Sequence, residues 1–207
     1  DLPRTDRDIS MRWLFLGAAA ILLFLLGNPL FNFNFLTIAL LIALSFLFVA
    51  VTSFTVGLVG STSNPVSGMT LATLLITCLI FVSLGWTERA YLLSAMSMGV
   101  VSCCAICMAG TTSQDLKTGF LLGATPRLQQ VGEMIGVLLP SLALGSTVYI
   151  LNEAYGVGSA TLPAPQATLM ALLVEGVIQG ELPYLLVGVG AILALAMACV
   201  GIPVIAF

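Results

Sequence analysis

Long apolar runs separated by short polar breaks make up most of this sequence. The first half contains four such runs, at 11–26, 35–56, 69–86 and 91–109, and a fifth extends over about 131–151. Further apolar runs follow at 167–178 and 182–207. A bilayer core about 30 Å thick needs roughly 20 apolar residues per helix. The pattern therefore predicts an all-α polytopic membrane protein with about six to seven transmembrane helices, some of them re-entrant or broken, in one domain over 1–207.

The run at 167–178 is shorter than the others and follows the proline-rich segment LPAPQ at 162–166. About 12 helical residues rise only about 18 Å, which is too short to cross a bilayer. This run is predicted to be a half-helix or a kinked segment that begins with Pro165 at its first helical position.

Composition agrees with a membrane location. Apolar residues make up 59% of the chain and charged residues 7%, there is no His, and the mean hydropathy is +1.15. Six basic residues and a net charge of -3 exclude a nucleic-acid partner and a polybasic lipid anchor. The chain begins without Met and ends in an apolar run, so it is expected to be a fragment of a longer chain. The lipid bilayer is its first predicted partner.

The basic residues predict the orientation of the chain in the membrane. Basic residues in short loops favour the cytoplasmic side. If the chain begins inside, one basic residue, Arg89, faces outwards, and five face the cytoplasm: Arg4, Arg7, Arg12, Lys117 and Arg127. This bias predicts that the N-terminal segment is cytoplasmic. The chain is expected to be a multi-pass protein of the cell (inner) membrane.

The first polar break, GSTSNPVSGMT at 60–70, contains residues that do not sustain a helix. Pro65 lacks an N–H group and biases Asn64 away from the helical region. Non-helical backbone at membrane depth persists only inside protein or beside a watery cavity. The break is therefore either a re-entrant segment lining a permeation site or an ordinary surface loop. If it lines the site, its substrate-binding candidates are Ser61, Ser63, Asn64 and Ser67.

The second polar break covers 111–133, TTSQDLKTGFLLGATPRLQQVGE. Thr112 and Asp115 have the spacing of a capping box and predict the start of a short helix, which Gly123 would end. Thr125 with Pro126 predicts the start of the next helix. The break is thus expected to be a helix, an interruption and a second helix at membrane depth, or alternatively a solvated cytoplasmic loop.

Three carboxylates are candidates for proton coupling. Glu175 lies in the middle of an apolar run, and Asp115 and Glu133 lie in the second break. Ionisable residues within membrane segments usually face a cavity or another polar group, and a desolvated carboxylate can carry a proton. The alternative for Glu175 is a structural hydrogen bond to a neighbouring helix.

Cysteine chemistry and catalysis are not predicted. Cys103, Cys104 and Cys107 lie in an apolar run without a His or a second nearby Cys pair, so helix packing explains them better than a metal site. The sequence also has no nucleophile elbow and no dense carboxylate cluster. We therefore expect no enzyme activity, no cofactor and no metal ligands.

Three segments, GLVGSTSNPVSGMT at 57–70, AGTTSQDLKTGFLLGATPRLQQVGE at 109–133 and LPAPQATLM at 162–170, resemble signature segments of the oligopeptide transporter family. That family includes the yellow stripe-like metal-chelate carriers. The resemblance implies a proton-coupled secondary transporter that imports small peptides or metal chelates by alternating access. It implies more spans than this chain holds, and homo-oligomerisation remains open.

A mechanism follows from combining the resemblance with the physics of broken helices. Such helices can direct their positive N-terminal ends at anionic substrate groups. The first break and a helix start at Ser113 would then face a substrate carboxylate, which Lys117 would pair, with Gln114 as a further contact. The surroundings of Asn64, Asp115 and Glu175 are expected to converge on one hydrated crevice.

A channel for water or small solutes is the alternative function. Such channels can place Asn-Pro at a half-helix tip, and this chain has Asn64-Pro65 and Asn28-Pro29. The two Asn-Pro segments are not otherwise matched. Saturable uptake driven by a pH gradient would identify a carrier. Whether the substrate is a peptide or a metal chelate stays open.

Overall fold

A computed structural model describes residues 3–61, 65–180 and 184–200. Within these ranges the chain is built from α-helices, preceded by a short 3₁₀ helix at Arg4–Asp6. The helices are α1 (Met11–Gly27), α2 (Phe35–Val59), α3 (Val66–Ser83), α4 (Arg89–Leu122), α5 (Pro126–Tyr155), α6 (Pro165–Gln179) and α7 (Tyr184–Val200). The predicted all-α membrane architecture is confirmed.

Helix lengths agree with the apolar runs, with one major extension. Within the described ranges, five segments are long and apolar enough to cross a membrane: Arg4–Gly27, which contains α1, and the helices α2, α3, α4 and α5. α6 has 15 residues and begins at Pro165, as predicted for a segment too short to span. α4, however, has 34 residues and continues through half of the second polar break.

α4 lies at the centre of the packed region and contacts α2, α3 and α6. Its Met98 and Ala95 are fully buried beside Cys78 and Phe81 of α3, and Val174 of α6 joins the same core. A Cβ atom at Gly99 would lie 2.7 Å from Leu74 Cδ2, so only glycine permits the observed approach of α3 and α4. This core sets the positions of α4 and α6.

The turn between α3 and α4 is held by aromatic rings. Trp86 and Tyr91 stack with centroids 4.9 Å apart, and both contact the ring of Phe81. Offset stacking of this kind contributes roughly 0.5–1.5 kcal/mol beyond burial. The three rings thus join the end of α3 to the start of α4.

The predicted capping box at Thr112 and Asp115 is wrong, because α4 continues through this point. The hydroxyls of Thr111 and Ser113 donate to the carbonyls of Cys107 and Ala109, four residues earlier in the same helix. Hydrogen bonds of this kind are made by Ser and Thr side chains in the interior of a helix, so these residues do not cap a new one.

The end of the second break agrees with its sequence signals. Gly123 ends α4 in the left-handed conformation, with φ at 69°. Thr125 is the N-cap residue of α5, and Pro126 occupies the first turn. The interruption predicted within 111–133 therefore exists, but it is confined to the turn between α4 and α5.

The N-terminal segment before α1 is attached to the same turn. Arg4 Nη2 donates to the Gly123 carbonyl at 3.1 Å. The Gln130 amide accepts from the Ile9 N–H at 2.9 Å and donates to Asp8 Oδ1 at 3.2 Å. These contacts bring the beginning of the chain to the end of α4 that carries Lys117.

α5 differs from the central helices because none of its residues, all of them described, is buried. It contacts α4 through its first turns. The rest of α5 is an apolar helix whose sides are open in this chain.

Candidate functional site

A cavity of about 540 Å³ lies between the end of α2 and the last part of α4. We call it the α2–α4 cavity. Two glycines of α2, Gly57 and Gly60, line one side, and the opposite side is formed by Ser113, Gln114, Lys117 and Thr118. It therefore brings residues from the start of the first polar break together with residues of the second.

The polar side chains of this cavity differ in their capacity to bind a ligand. The Lys117 ammonium lies 5.2 Å from the centroid of the Phe120 ring. Gln114 Nε2 donates to the Gly60 carbonyl at 3.5 Å, a long and weak hydrogen bond. Because Ser113 Oγ donates its proton to the Ala109 carbonyl, its oxygen can act only as an acceptor. Thr118 Oγ1 likewise donates to the Gln114 carbonyl. The cavity thus offers one cation, one amide and two hydroxyl oxygens.

This arrangement corrects one part of the predicted mechanism. Ser113 lies inside α4, so the backbone N–H groups around it belong to a continuous helix and no positive helix terminus exists there. The positive charge of the α2–α4 cavity comes from the Lys117 side chain.

The candidates of the first break have different outcomes. Ser61 is half-buried next to Gly60, the left-handed cap of α2. Ser67 is exposed in the first turn of α3 and is not among the residues lining the cavity. Ser63 and Asn64 lie outside the described residues.

Glu133 forms a second polar centre, between α4 and α5. Thr112 Oγ1 donates to Glu133 Oε2 at 2.6 Å. The other oxygen, Oε1, is buried and has no hydrogen-bond partner among the described residues. A neighbouring cavity of about 510 Å³ is lined by Glu133, Thr112 and Gln130 together with apolar side chains that include Met108, Met134 and Val137. The carboxyl group therefore borders a largely apolar space.

Asp115 belongs to neither cavity. Its side chain is exposed, and its backbone carbonyl accepts from Gln129 Nε2 at 3.1 Å. Gln129 packs directly against Gly119, where a Cβ atom would overlap its amide. The Asp115 position contributes to the packing of α4 on α5 through its backbone.

Glu175 is distant from the α2–α4 cavity. It is exposed on α6 and lines a cavity of about 200 Å³ with Arg89 and Met96 of α4. Met96 and Ser113 are 17 positions apart on α4, which corresponds to about 25 Å along the helix axis. The expectation that Glu175 and Asp115 share one crevice is therefore wrong, and Asn64 lies outside the described residues.

Sequence reasoning missed several residues of these sites. Gly57, Gly60 and Thr118 line the α2–α4 cavity, and Gln130 lies beside Glu133. The spacing of Gly57 and Gly60 could have indicated an open helix face, but glycine has no side-chain group that would indicate ligand binding. Arg89 and Glu175 line one cavity from two different helices, and local sequence does not indicate that they share it.

Neither a disulfide nor a metal-binding cluster is found in the part of the chain that the structure describes. Cys78, Cys103, Cys104, Cys107 and Cys199 are free thiols. Among the residues that the structure describes, no group of three His, Cys, Asp or Glu side chains is close enough to hold a metal ion.

Comparison with known families identifies the chain. The sequence profile described as "OPT oligopeptide transporter protein" matches residues 1–205. The chain belongs to the oligopeptide transporter family. The family to which the three segments were compared is thereby confirmed.

Two relatives in this family show how much of a transporter the chain represents. A Haemophilus influenzae protein described as "Putative oligopeptide transporter" is 33% identical over 172 residues, which cover 73% of this chain and 27% of the relative. A Saccharomyces cerevisiae protein with the same description is 37% identical over 107 residues, or 50% of this chain and 14% of that protein. The chain thus matches only about a quarter of the bacterial relative. No solved structure matched it significantly.

Proposed function

We propose that this chain is part of a proton-coupled secondary transporter that imports small peptides or metal chelates. In this proposal the α2–α4 cavity binds a carboxylate of the substrate, and Glu133 carries the coupling proton. Family membership supports oligopeptide transport, and the geometry of the two polar centres supports the division of roles.

The observation that carries the substrate site is the convergence of Ser113, Gln114 and Lys117 on one cavity with the glycine end of α2. The ammonium of Lys117 contacts an exposed aromatic ring, an interaction of roughly 0.5–1 kcal/mol at such sites. A hydrogen bond to a charged group contributes more, roughly 1.5–3 kcal/mol. A substrate carboxylate would therefore displace the ring from the ammonium. The Gln114 amide would add a second donor after giving up its weak bond to Gly60.

The coupling role of Glu133 rests on its surroundings. A charged carboxylate with one buried oxygen that lacks a donor is costly in an apolar environment. A proton on Oε1 would remove that charge, while Oε2 would keep the hydrogen bond from Thr112. In this proposal the hydrogen bond from Thr112 holds Glu133 between α4 and α5 while the carboxyl group carries and releases the coupling proton.

Transport also requires movement of the site between the two sides of the membrane. We propose that the remainder of the transporter chain covers the open sides of α5. α4 and α5 contact each other through short polar interactions, which suit an interface that changes during alternating access. A cavity whose walls move apart would then open to one side at a time.

Lys117→Met in the full-length transporter tests the substrate site. Uptake of a labelled dipeptide and of a ferric chelate would be measured in proteoliposomes with an inward pH gradient. We expect KM for the transported substrate to rise about 10- to 100-fold, because a charge-assisted hydrogen bond of about 1.5–3 kcal/mol is lost. Lys117→Arg should retain most of the affinity.

Arg12→Met is the matched control, since it removes an exposed basic residue of α1 that lines none of the three cavities described above. An unchanged KM in Lys117→Met would contradict the proposed carboxylate site. Uptake that fails to saturate and ignores the pH gradient would instead identify the channel that the Asn-Pro segments suggested.

A further inference from the structure

The cavity between α4 and α6 contains two opposite charges that the proposed function does not use. We call it the α4–α6 cavity. Arg89 of α4 and Glu175 of α6 both line its volume of about 200 Å³. The walls between the two charges are apolar side chains of both helices.

Helix periodicity explains why these residues share one space. The α4 side consists of Arg89, Leu92, Leu93 and Met96, whose spacing of i, i+3, i+4 and i+7 places them on one helix face. On α6, Ala171 and Glu175 are four residues apart and also share a face. The next residue inwards, Val174, is buried in the core, so the position of Glu175 relative to α4 is set by packing.

The chemistry of this cavity fits a small zwitterion. A guanidinium binds a carboxylate through two parallel hydrogen bonds, and a carboxylate accepts hydrogen bonds from an ammonium group. The α4–α6 cavity is less than half the size of the α2–α4 cavity, whose volume is about 540 Å³. Its apolar walls fit a small aliphatic side chain.

The position of the cavity suggests its place in transport. Arg89 and Lys117 are 28 positions apart on α4, or about 42 Å along the helix axis. This distance exceeds a hydrocarbon core of about 30 Å. The two charged cavities therefore lie towards opposite membrane surfaces.

We infer that the α4–α6 cavity is a second substrate site, which binds the charged ends of a short zwitterionic peptide. Arg89 holds the peptide carboxylate and Glu175 holds its ammonium group. The site lies at the membrane surface remote from Lys117. This inference rests on the proposed peptide transport and adds selection for substrates that carry both charges.

Capped substrates test the inference in the full-length transporter. Uptake and equilibrium binding would be measured for dialanine, N-acetyl-dialanine and dialanine amide in proteoliposomes. We expect each cap to weaken binding at least about 10-fold, because it removes the partner of one charged side chain. Glu175→Gln should abolish the penalty for N-acetylation, and Arg89→Gln should reduce the penalty for amidation to the part that Lys117 contributes.

Two further variants control for folding and for nonspecific charge effects. Glu88→Gln removes the charge next to Arg89 without altering the cavity lining, so it should keep both penalties. The double variant Arg89→Glu with Glu175→Arg restores two opposite charges in exchanged positions. It should recover binding that either single charge reversal loses, since a peptide can bind in the reverse direction.

The outcomes separate this inference from the function on which it depends. If the wild-type transporter binds and takes up N-acetyl-dialanine as well as dialanine, the zwitterion site is overturned, while the carboxylate site at Lys117 and peptide transport stand. If Glu175→Gln weakens the binding of all three substrates equally, the inference is also overturned, because Glu175 then has a structural role. If no peptide is taken up, both proposals fall.

Discussion

The hydrogen bond between Thr112 and Glu133 joins residues 21 positions apart and fixes the carboxyl group between α4 and α5. Neither residue could be assigned this partner from the sequence, where Thr112 has the spacing of a helix cap. Thr112 lies inside α4, where the backbone N–H groups are bonded within the helix, and its hydroxyl donates to the Glu133 carboxylate. The buried oxygen of Glu133 is the observation on which its proposed role in proton coupling rests.

Glu133→Gln tests that role at the residue scale. A glutamine retains an oxygen that accepts from Thr112, so the α4–α5 contact should persist, but it cannot bind and release a proton near neutral pH. We expect accumulation driven by an imposed pH gradient to be lost at least 10-fold, while exchange of labelled for unlabelled substrate continues. Both quantities would be measured in proteoliposomes of the full-length transporter.

Glu153→Gln is the matched control, because Glu153 lies exposed on the same helix, outside the three cavities described above. It should leave gradient-driven accumulation unchanged. Normal accumulation in Glu133→Gln would assign the coupling proton to another residue and leave Glu133 with a structural role.

Among the secondary-structure elements, α4 is the helix that lines both charged cavities of the described chain. Its first turn borders the cavity with Glu175, its middle lies in the core, and its last turns carry Lys117. Close packing at Gly99 against Leu74 holds this helix in place. A change at that contact should therefore affect stability, although it lies outside both charged cavities.

Gly99→Ala tests the packing of α3 on α4. Overpacking of a buried site costs about 1–3 kcal/mol, whereas replacing a helical glycine with alanine gains about 1 kcal/mol. Because Leu74 is only 1% exposed, its displaced side chain has little space, and we expect a net loss of up to about 2 kcal/mol. Thermal unfolding of the full-length transporter in detergent would measure it.

Gly17→Ala serves as the control, since a Cβ at this helical position meets no atom within 4 Å in this chain. It should be neutral or slightly stabilising. If Gly99→Ala stabilises the protein, α3 and α4 have room to separate. If the predicted clash with Leu74 is real, adding Leu74→Val to Gly99→Ala should restore the stability that the single variant loses.

Orientation in the membrane is a property of the whole molecule. α4 has 34 residues and extends about 51 Å, more than a bilayer core. The structure brings Arg4 to the turn after α4, near Lys117 and Arg127, and leaves Arg89 at the other end. This arrangement agrees with the predicted bias of basic residues, and it predicts that the two charged cavities open towards opposite sides.

Cysteine labelling tests this orientation. In a full-length transporter without native cysteines, Glu88→Cys and Leu122→Cys place a thiol at each end of α4. We expect a membrane-impermeant maleimide to label Glu88→Cys in intact cells and Leu122→Cys only after permeabilisation. Labelling of both from one side would contradict the orientation and would bring the two charged cavities to the same membrane surface.

Several features of this protein were determined by the sequence alone. Apolar runs predicted the membrane helices, Gly123 and Pro126 predicted the turn after α4, Pro165 predicted the start of α6, and three segments indicated the family. These signals are local, because hydropathy and helix ends depend on residues within a few positions of each other.

Tertiary structure decided which of the candidate residues meet. It brought Gly60 to Gln114 and Glu133 to Thr112, and it placed Glu175 beside Arg89. It also turned the predicted helix start at Thr112 into the interior of α4. The physical reason is that contacts across helices depend on how complete helices pack, and the core that sets this packing is assembled from residues far apart in the chain.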